Sequence, residues 1–240
     1  DIIPQPLRAG EGLAGLVDWL AELTRSEILP GLWNTLVATQ IALVLTGLVA
    51  FFGFGLTIRR VSGRLGSLIG HQFLVILRSL PEYMLAYLLL QALGPSLLPA
   101  IIALGLHNGA IIAHLLGREG AVMVPMLRPD APRGATLWGW ELAPRLFGRF
   151  LALCLYRWEI ILRESAVMGI LGIATLGFFI DSALAALRVD RAGVILIVIA
   201  LLSAVIDGIS VRLRARMKGP KLREGDCIGE ILQTPELLVV

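Results

Sequence analysis

The stretch LYRWEIILRESAVMGILGIATLG, residues 155–177, places Arg157, Glu159, Arg163 and Glu164 in or beside apolar runs long enough to enter a bilayer. On insertion scales a charge at the bilayer centre costs about 2.5–3.5 kcal/mol unless it is paired or wetted. Four such residues so close together require a compensating environment. The flanking sequence shows what that environment is.

The whole chain is 57% hydrophobic and 16% charged, with mean hydropathy +0.81. Soluble domains carry about 25% charged residues, so this is an integral membrane protein. The net charge is only +3, and Lys and Arg are clustered rather than spread. Clustered basic residues in such a chain point to cytoplasmic loops rather than to nucleic-acid binding. Cys154 lies in an apolar run and Cys227 in a polar tail, so neither a disulfide nor a metal pattern is expected. The chain begins at Asp1, which leaves a further span or targeting segment upstream open.

Residues 28–58 and 83–117 contain no Asp, Glu, Lys or Arg. About 20 residues cross the hydrocarbon core. A first span therefore fits 34–57, and the turn GPS at 94–96 divides the second tract into a span ending near Leu93 and another over 97–116. Residues 67–82 lead into the former, and Pro81 should break or kink that helix. Residues 118–149 carry five Arg, two Glu, one Asp and four Pro, and read as short helices in a loop. Apolar sequence resumes over 146–162 and 165–180, with a break expected at Arg163-Glu164, and a last span covers 192–211.

The basic segments 59–64, 118–149 and 212–223 all fall on one side if there are five spans, and the positive-inside rule makes that side the cytoplasm. The tract 146–180 must then cross only once, although it exceeds one straight span at 1.5 Å per residue. Residues 11–27 place Leu13, Leu16, Trp19, Leu20 and Leu23 at helical spacing. This is an amphipathic helix lying on the membrane or packed on the bundle. The expected organisation is thus a peripheral segment 1–27, a transmembrane domain 28–217 with a cytoplasmic loop 118–145, and a tail 218–240.

Several ionisable residues sit at or inside apolar segments: Arg78, Glu82, His107, Glu159, Arg163, Glu164 and Asp207. One reading is mutual pairing that fixes helix packing; Glu159 and Arg163 stand at i,i+4 with Glu first, the favourable order. The other is a wet path for a polar solute, in which Arg78, Arg163 and His107 replace an anion's lost hydration. Gly169, Gly172 and Gly177 permit either close helix contact or unwound backbone where a path narrows. No GxxxxGK[ST] phosphate loop, HExxH or GxSxG occurs, so neither ATP hydrolysis by a phosphate loop nor a catalytic set is expected in this chain. No metal site is expected either.

This arrangement resembles the permease subunit of binding-protein-dependent ABC importers of the phosphonate/phosphite type. The similar residues run over roughly 30–217, through RSLPEYMLAYLLLQALGPSLLPAIIALGLHNGAI (78–111) and APRLFGRFLALCLYRWEIILRESAVMGILG (143–172). LYRWE, followed by Arg163 and GILG, is the most specific part. PDAPRGA stands where the family has an acidic-Ala-Ala element, and GIATLG (172–177) carries fewer glycines than the family's run.

The resemblance implies an all-α, methionine-importer-like (MetI-like) type I fold of about five transmembrane helices with a cytoplasmic coupling helix. It places the ATPase-coupling loop at Arg128, Pro129, Asp130, Arg133, Gly134, Ala135 and Pro144. The path or gate falls to Arg78, Glu82, His107, Glu159, Arg163, Glu164, Gly169 and Gly172, with Arg163 facing the solute path and Glu159 orienting it. It further implies a second permease subunit in a homo- or heterodimer, two ATPase subunits that bind ATP and Mg, and a periplasmic or lipid-anchored binding protein. The setting would be the bacterial inner membrane and the cargo a small phosphorus oxyanion: phosphonate, phosphite or hypophosphite.

The alternatives are an ABC permease for another solute such as methionine, an amino acid or another oxyanion; a transporter or channel acting alone; and an intramembrane enzyme. A lone transporter usually shows internal repeats, and no repeat relates 28–117 to 146–212. The enzyme lacks a nucleophile–base pair.

Overall fold

The computed structural model describes residue 10, residues 12–128 and residues 130–217. The tail 218–240 and Pro129 lie outside the described residues. Seven helices make up the described fold. They are α1 (Gly12–Thr57), α2 (Arg59–Ser79), α3 (Glu82–Leu93), α4 (Leu98–Met123), α5 (Ala143–Val167), α6 (Leu176–Ala185) and α7 (Val189–Met217); α2 is kinked at Gly63, where φ is +76°.

The charge-free run 28–58 forms the second part of α1. The helix does not stop at residue 27: it runs back through a π turn, Thr24–Ile28, to Gly12. The expected separate peripheral segment is, over its described residues, continuous with the first span. Leu23 and Ile28 are buried with Leu176 and Ile195, and Trp19 packs against them, so the end of this face packs on the bundle, while Leu13 is exposed.

Pro81 acts as expected. With no N–H to donate, it cannot continue the ladder of α2, and α2 and α3 meet at 93°. Neither piece alone meets the length and composition of a span; the bent pair does.

α4 is the bundle's central helix. Gly105, Gly109, Ala113 and Gly117 recur every fourth residue, so all lie on one face. A Cβ on Gly105 would fall 2.5 Å from Leu45, and one on Gly109 2.6 Å from Val49. Gly117 has no room against Thr57, and Ala113 stands opposite Gly53. A small-residue stripe lets two membrane helices approach closely and gain van der Waals contact, the main association force in lipid.

Three helices cross a membrane by length and composition, or four if the bent pair counts as one. The fifth expected crossing is α5, which fails that test because it carries Arg145, Arg149, Arg157, Glu159, Arg163 and Glu164. Two boundaries differ from the sequence reading. The expected break at Arg163-Glu164 is absent, and α5 is continuous to Val167. Its charges are satisfied sideways, so the helix need not open to wet them. The chain turns instead over 168–175, where Gly172 takes φ +81°, a conformation in which any Cβ is strained. A Cβ on Gly177 would collide with the Ala166 carbonyl, and one on Gly169 with the backbone of Gly177 and Phe178.

The loop 118–145 is likewise mostly helical. α4 runs on to Met123, a 3-10 turn follows at Val124–Met126, and helix resumes as a π turn at Leu137–Leu142 leading into α5. Leu137 and Leu142 are fully buried against Phe54, Ile58 and Leu116. Burial of these side chains winds the segment into the bundle. Among the described residues, only 127, 128 and 130–134 remain irregular.

Candidate functional site

Two polar constellations stand out, one at mid-bundle and one at the basic end. The first lies between α4, α5 and the α2–α3 break. Asn108 is fully buried. Its Nδ2 donates to Glu164 Oε2 at 2.9 Å and to the Leu104 carbonyl at 3.1 Å, while its Oδ1 accepts from Arg157 Nη1 at 3.1 Å. The amide thus bridges a cation and a carboxylate that both belong to α5, seven residues or two helical turns apart. On the neighbouring position of α4, His107 Nε2 stands 3.7 Å from Glu82 Oε2, and its Nδ1 lies 3.3 Å from the Leu77 carbonyl. Glu82, Glu164 and Arg157 act on one another electrostatically. Arg78 Nε is buried close by in sequence with no protein partner. A buried guanidinium nitrogen left bare is a position where water or an anion would be welcome.

The structure therefore brings Glu82, His107 and Glu164 together, with Arg78 in the last turn of α2, before the break that precedes Glu82. It does not bring Arg163 to them. Arg163 pairs with Glu159 at 3.0 Å on the same helix, and its side chain is 58% exposed on the flank of the single chain. Gly169 and Gly172 lie in the turn that ends α5.

Sequence reasoning missed Asn108 as a site residue and left Arg157 among the anomalies. Asn108 carries no charge, so a scan for misplaced charges passes over it. The available signal was a polar pair, His107-Asn108, inside the charge-free tract 83–117.

The second constellation is the connection 127–136. Gly134, at φ +70°, donates its N–H to the Arg60 carbonyl at 3.0 Å, and Arg60 Nη2 donates to the Ala131 carbonyl at 2.9 Å. The loop is thereby tied to the start of α2. Arg128, Asp130, Arg133 and Ala135 remain exposed or half-buried, and Pro144 is exposed in the first turn of α5. Trp140 is 81% exposed beside them.

Arg149 pairs with Glu119 at this same end, and Ser210 of α7 donates to the Leu155 carbonyl. The three basic segments thus share one end as far as they are described. Gly94 and the 185–188 turn lie at the other, where Arg191 pairs with Glu27.

The bundle, with its bent second span, central small-residue helix and tied basic loop, is the fold of the transmembrane subunits of ABC importers. An inward-facing structure of the methionine ABC transporter MetNI superposes with TM-score 0.68 at 15% identity, covering 80% of this chain and 96% of its own. An amino acid ABC transporter solved with histidines gives TM-score 0.66 at 17% identity, covering 85% and 97%. Within that class, sequence similarity points to two permeases named for phosphorus oxyanions. The chain is 29% identical over 147 residues to the phosphite transport system permease protein PtxC of Stutzerimonas stutzeri. It is 30% identical over 154 residues to the phosphate-import permease protein PhnE of Mycolicibacterium smegmatis. These alignments take in 59% and 60% of this chain but only 53% and 28% of the relatives' lengths. No protein-family profile matches the chain.

Proposed function

We propose that this chain is the non-catalytic transmembrane subunit of an ATP-driven importer for a small phosphorus oxyanion in a bacterial inner membrane. The similarity over 147 residues to a phosphite permease carries the proposal, and the fold supports the transport class. Phosphite and phosphate, the solutes in the relatives' names, are compact tetrahedral anions, and phosphonate and hypophosphite share that chemistry. Such a solute needs fixed hydrogen-bond donors to replace its water.

In this reading a second permease subunit faces the chain, and a binding protein delivers solute at the end bearing Gly94. Two ATPase subunits, which hold ATP and Mg, dock at the basic end. Residues 127–136 form the docking surface, because they are accessible yet tied to α2 through Arg60. Motion of the ATPases would be transmitted through that tie and through the buried start of α5. Rigid-body rocking of the two subunits then exposes the path alternately to each side. Arg78, Glu82, His107, Glu159, Arg163, Glu164, Gly169 and Gly172 are the proposed path or gate residues. Asn108 and Arg157 join them in this reading, because their hydrogen bond ties α4 to α5.

Copurification tests the reading. An ATPase subunit should accompany the tagged chain from the membrane, and deleting 127–136 should abolish that association while leaving the chain membrane-inserted. Retention of the ATPase by the deleted chain would refute the docking assignment.

A further inference from the structure

A cavity of about 170 Å³ opens at the basic end, lined by Thr57, Arg59, Arg64, Ser67, Leu68 and His71. At about 30 Å³ per water molecule it holds several water volumes. Arg64, Ser67, Leu68 and His71 follow the i, i+3, i+4, i+7 spacing that gathers side chains on one helix face. The hydroxyls of Thr57 and Ser67 donate to the carbonyls of Phe54 and Thr57, which leaves the pocket's outward donors to the two guanidinium groups and the imidazole.

Among the described residues the pocket has no counter-ion: neither Arg59 nor Arg64 pairs with a carboxylate. Behind His71 the ring of His114 lies 5.1 Å away, centroid to centroid, and its Nδ1 is buried without a partner. Arg78 and Arg118 act electrostatically on His114 as well. A cluster of this kind lacks an anion.

Its position says which anion. Thr57 all but closes the charge-free run 28–58, so the pocket lies where hydrocarbon gives way to head groups. Leu68, on its lip, is 64% exposed, and below it Ile69, Phe73 and Ile76 are each more than half exposed along α2. A molecule with a phosphate in the pocket and acyl chains along that face matches both surfaces at once, whereas a free phosphate uses only one.

We propose that this pocket binds the phosphate head group of an anionic phospholipid from the leaflet at the basic end, with the acyl chains on the outer face of α2. Arg59 and Arg64 clamp the phosphate, and His71 supplies a third donor. The lipid sits against the Arg60 tie to residues 127–136, so its occupancy braces that loop.

The test is native mass spectrometry of the full-length chain, delipidated and titrated with phosphatidylglycerol, phosphatidylcholine or inorganic phosphate. Phosphatidylglycerol should bind in preference to phosphatidylcholine. Arg59→Gln/Arg64→Gln should weaken it about thirtyfold, the product of two roughly fivefold losses at about 1 kcal/mol per basic residue. Arg212→Gln/Arg216→Gln removes the same charge from the same end and should leave affinity within about threefold. If the double Gln chain loses its melting transition, Arg64→Gln alone is read against the fivefold expectation. Equal binding of phosphatidylcholine, or unchanged affinity in the Arg59/Arg64 variants, overturns the proposal. Displacement of phosphatidylglycerol by millimolar inorganic phosphate overturns it too, in favour of a soluble-anion site.

Discussion

The substitution Asn108→Asp tests whether the mid-bundle bridge holds α4 to α5. The wild-type amide accepts from Arg157 and donates to Glu164 at 2.9 Å. A carboxylate in its place would keep the first contact but set a second negative charge against Glu164. An interhelical hydrogen bond in a membrane protein contributes about 0.6–1.7 kcal/mol. Like charges 4 Å apart at an effective dielectric of 20 repel by about 4 kcal/mol, and small outward movements of both side chains relieve part of that. The expected loss is about 2–4 kcal/mol, read as a shift in denaturant-induced unfolding of the detergent-solubilised chain. Glu164→Gln alone keeps an acceptor for Asn108 and should cost about 1 kcal/mol or less. In the double variant Asn108→Asp/Glu164→Gln the polarity is reversed: the introduced amide on α5 donates to the introduced carboxylate on α4, which still accepts from Arg157. The double chain should therefore be more stable than Asn108→Asp alone by at least about 1 kcal/mol. Strict additivity of the two single effects would refute the bridge.

The same packing sets the cost of other substitutions. Gly177→Ala pushes a methyl group into the Ala166 carbonyl and should cost about 1–3 kcal/mol, seen as a lower melting temperature and poorer membrane yield. Arg163→Ala removes only an exposed i,i+4 pair and should cost no more than about 0.5 kcal/mol; a transport loss of tenfold or more with an unchanged melting curve would place Arg163 in the path or gate. Arg60→Gln removes the side-chain bond to the Ala131 carbonyl, so amide exchange over 130–136 should accelerate about fivefold, for a bond contributing about 1 kcal/mol, while exchange in α4 stays unchanged.

The spans were legible because lipid enforces a simple rule, and the charge-free tracts 28–58 and 83–117 obey it. Pro81 was legible for a local reason, its missing N–H. What escaped was set by tertiary contact. Arg163-Glu164 looked like a break because the partner that satisfies Glu164 is Asn108, a residue on another helix and more than fifty positions away. The polar interlude 118–149 read as short helices in a loop, and only the burial of Leu137 and Leu142 shows how that helix is tied into the bundle. The amphipathic helix 11–27 left membrane surface and bundle packing both open, because nothing in its own spacing reveals the packing of Leu23 against Leu176 and Ile195. The glycines of GILGIATLG read as either packing or hinge; Gly169 and Gly177 prove to be sites of close backbone approach, and Gly172 the turn. The candidate residues were named one by one from the chain, but the grouping of Glu164 and Arg157 on Asn108 needed the fold.

The most direct measurement is uptake of phosphite into proteoliposomes holding this chain with its ATPase, in the presence of the loaded binding protein. Accumulation that requires ATP and the binding protein, and that is lost when residues 127–136 are deleted, is the predicted result. Uptake without ATP, or an ATP-driven system indifferent to phosphite, phosphate, phosphonate and hypophosphite alike, would contradict it.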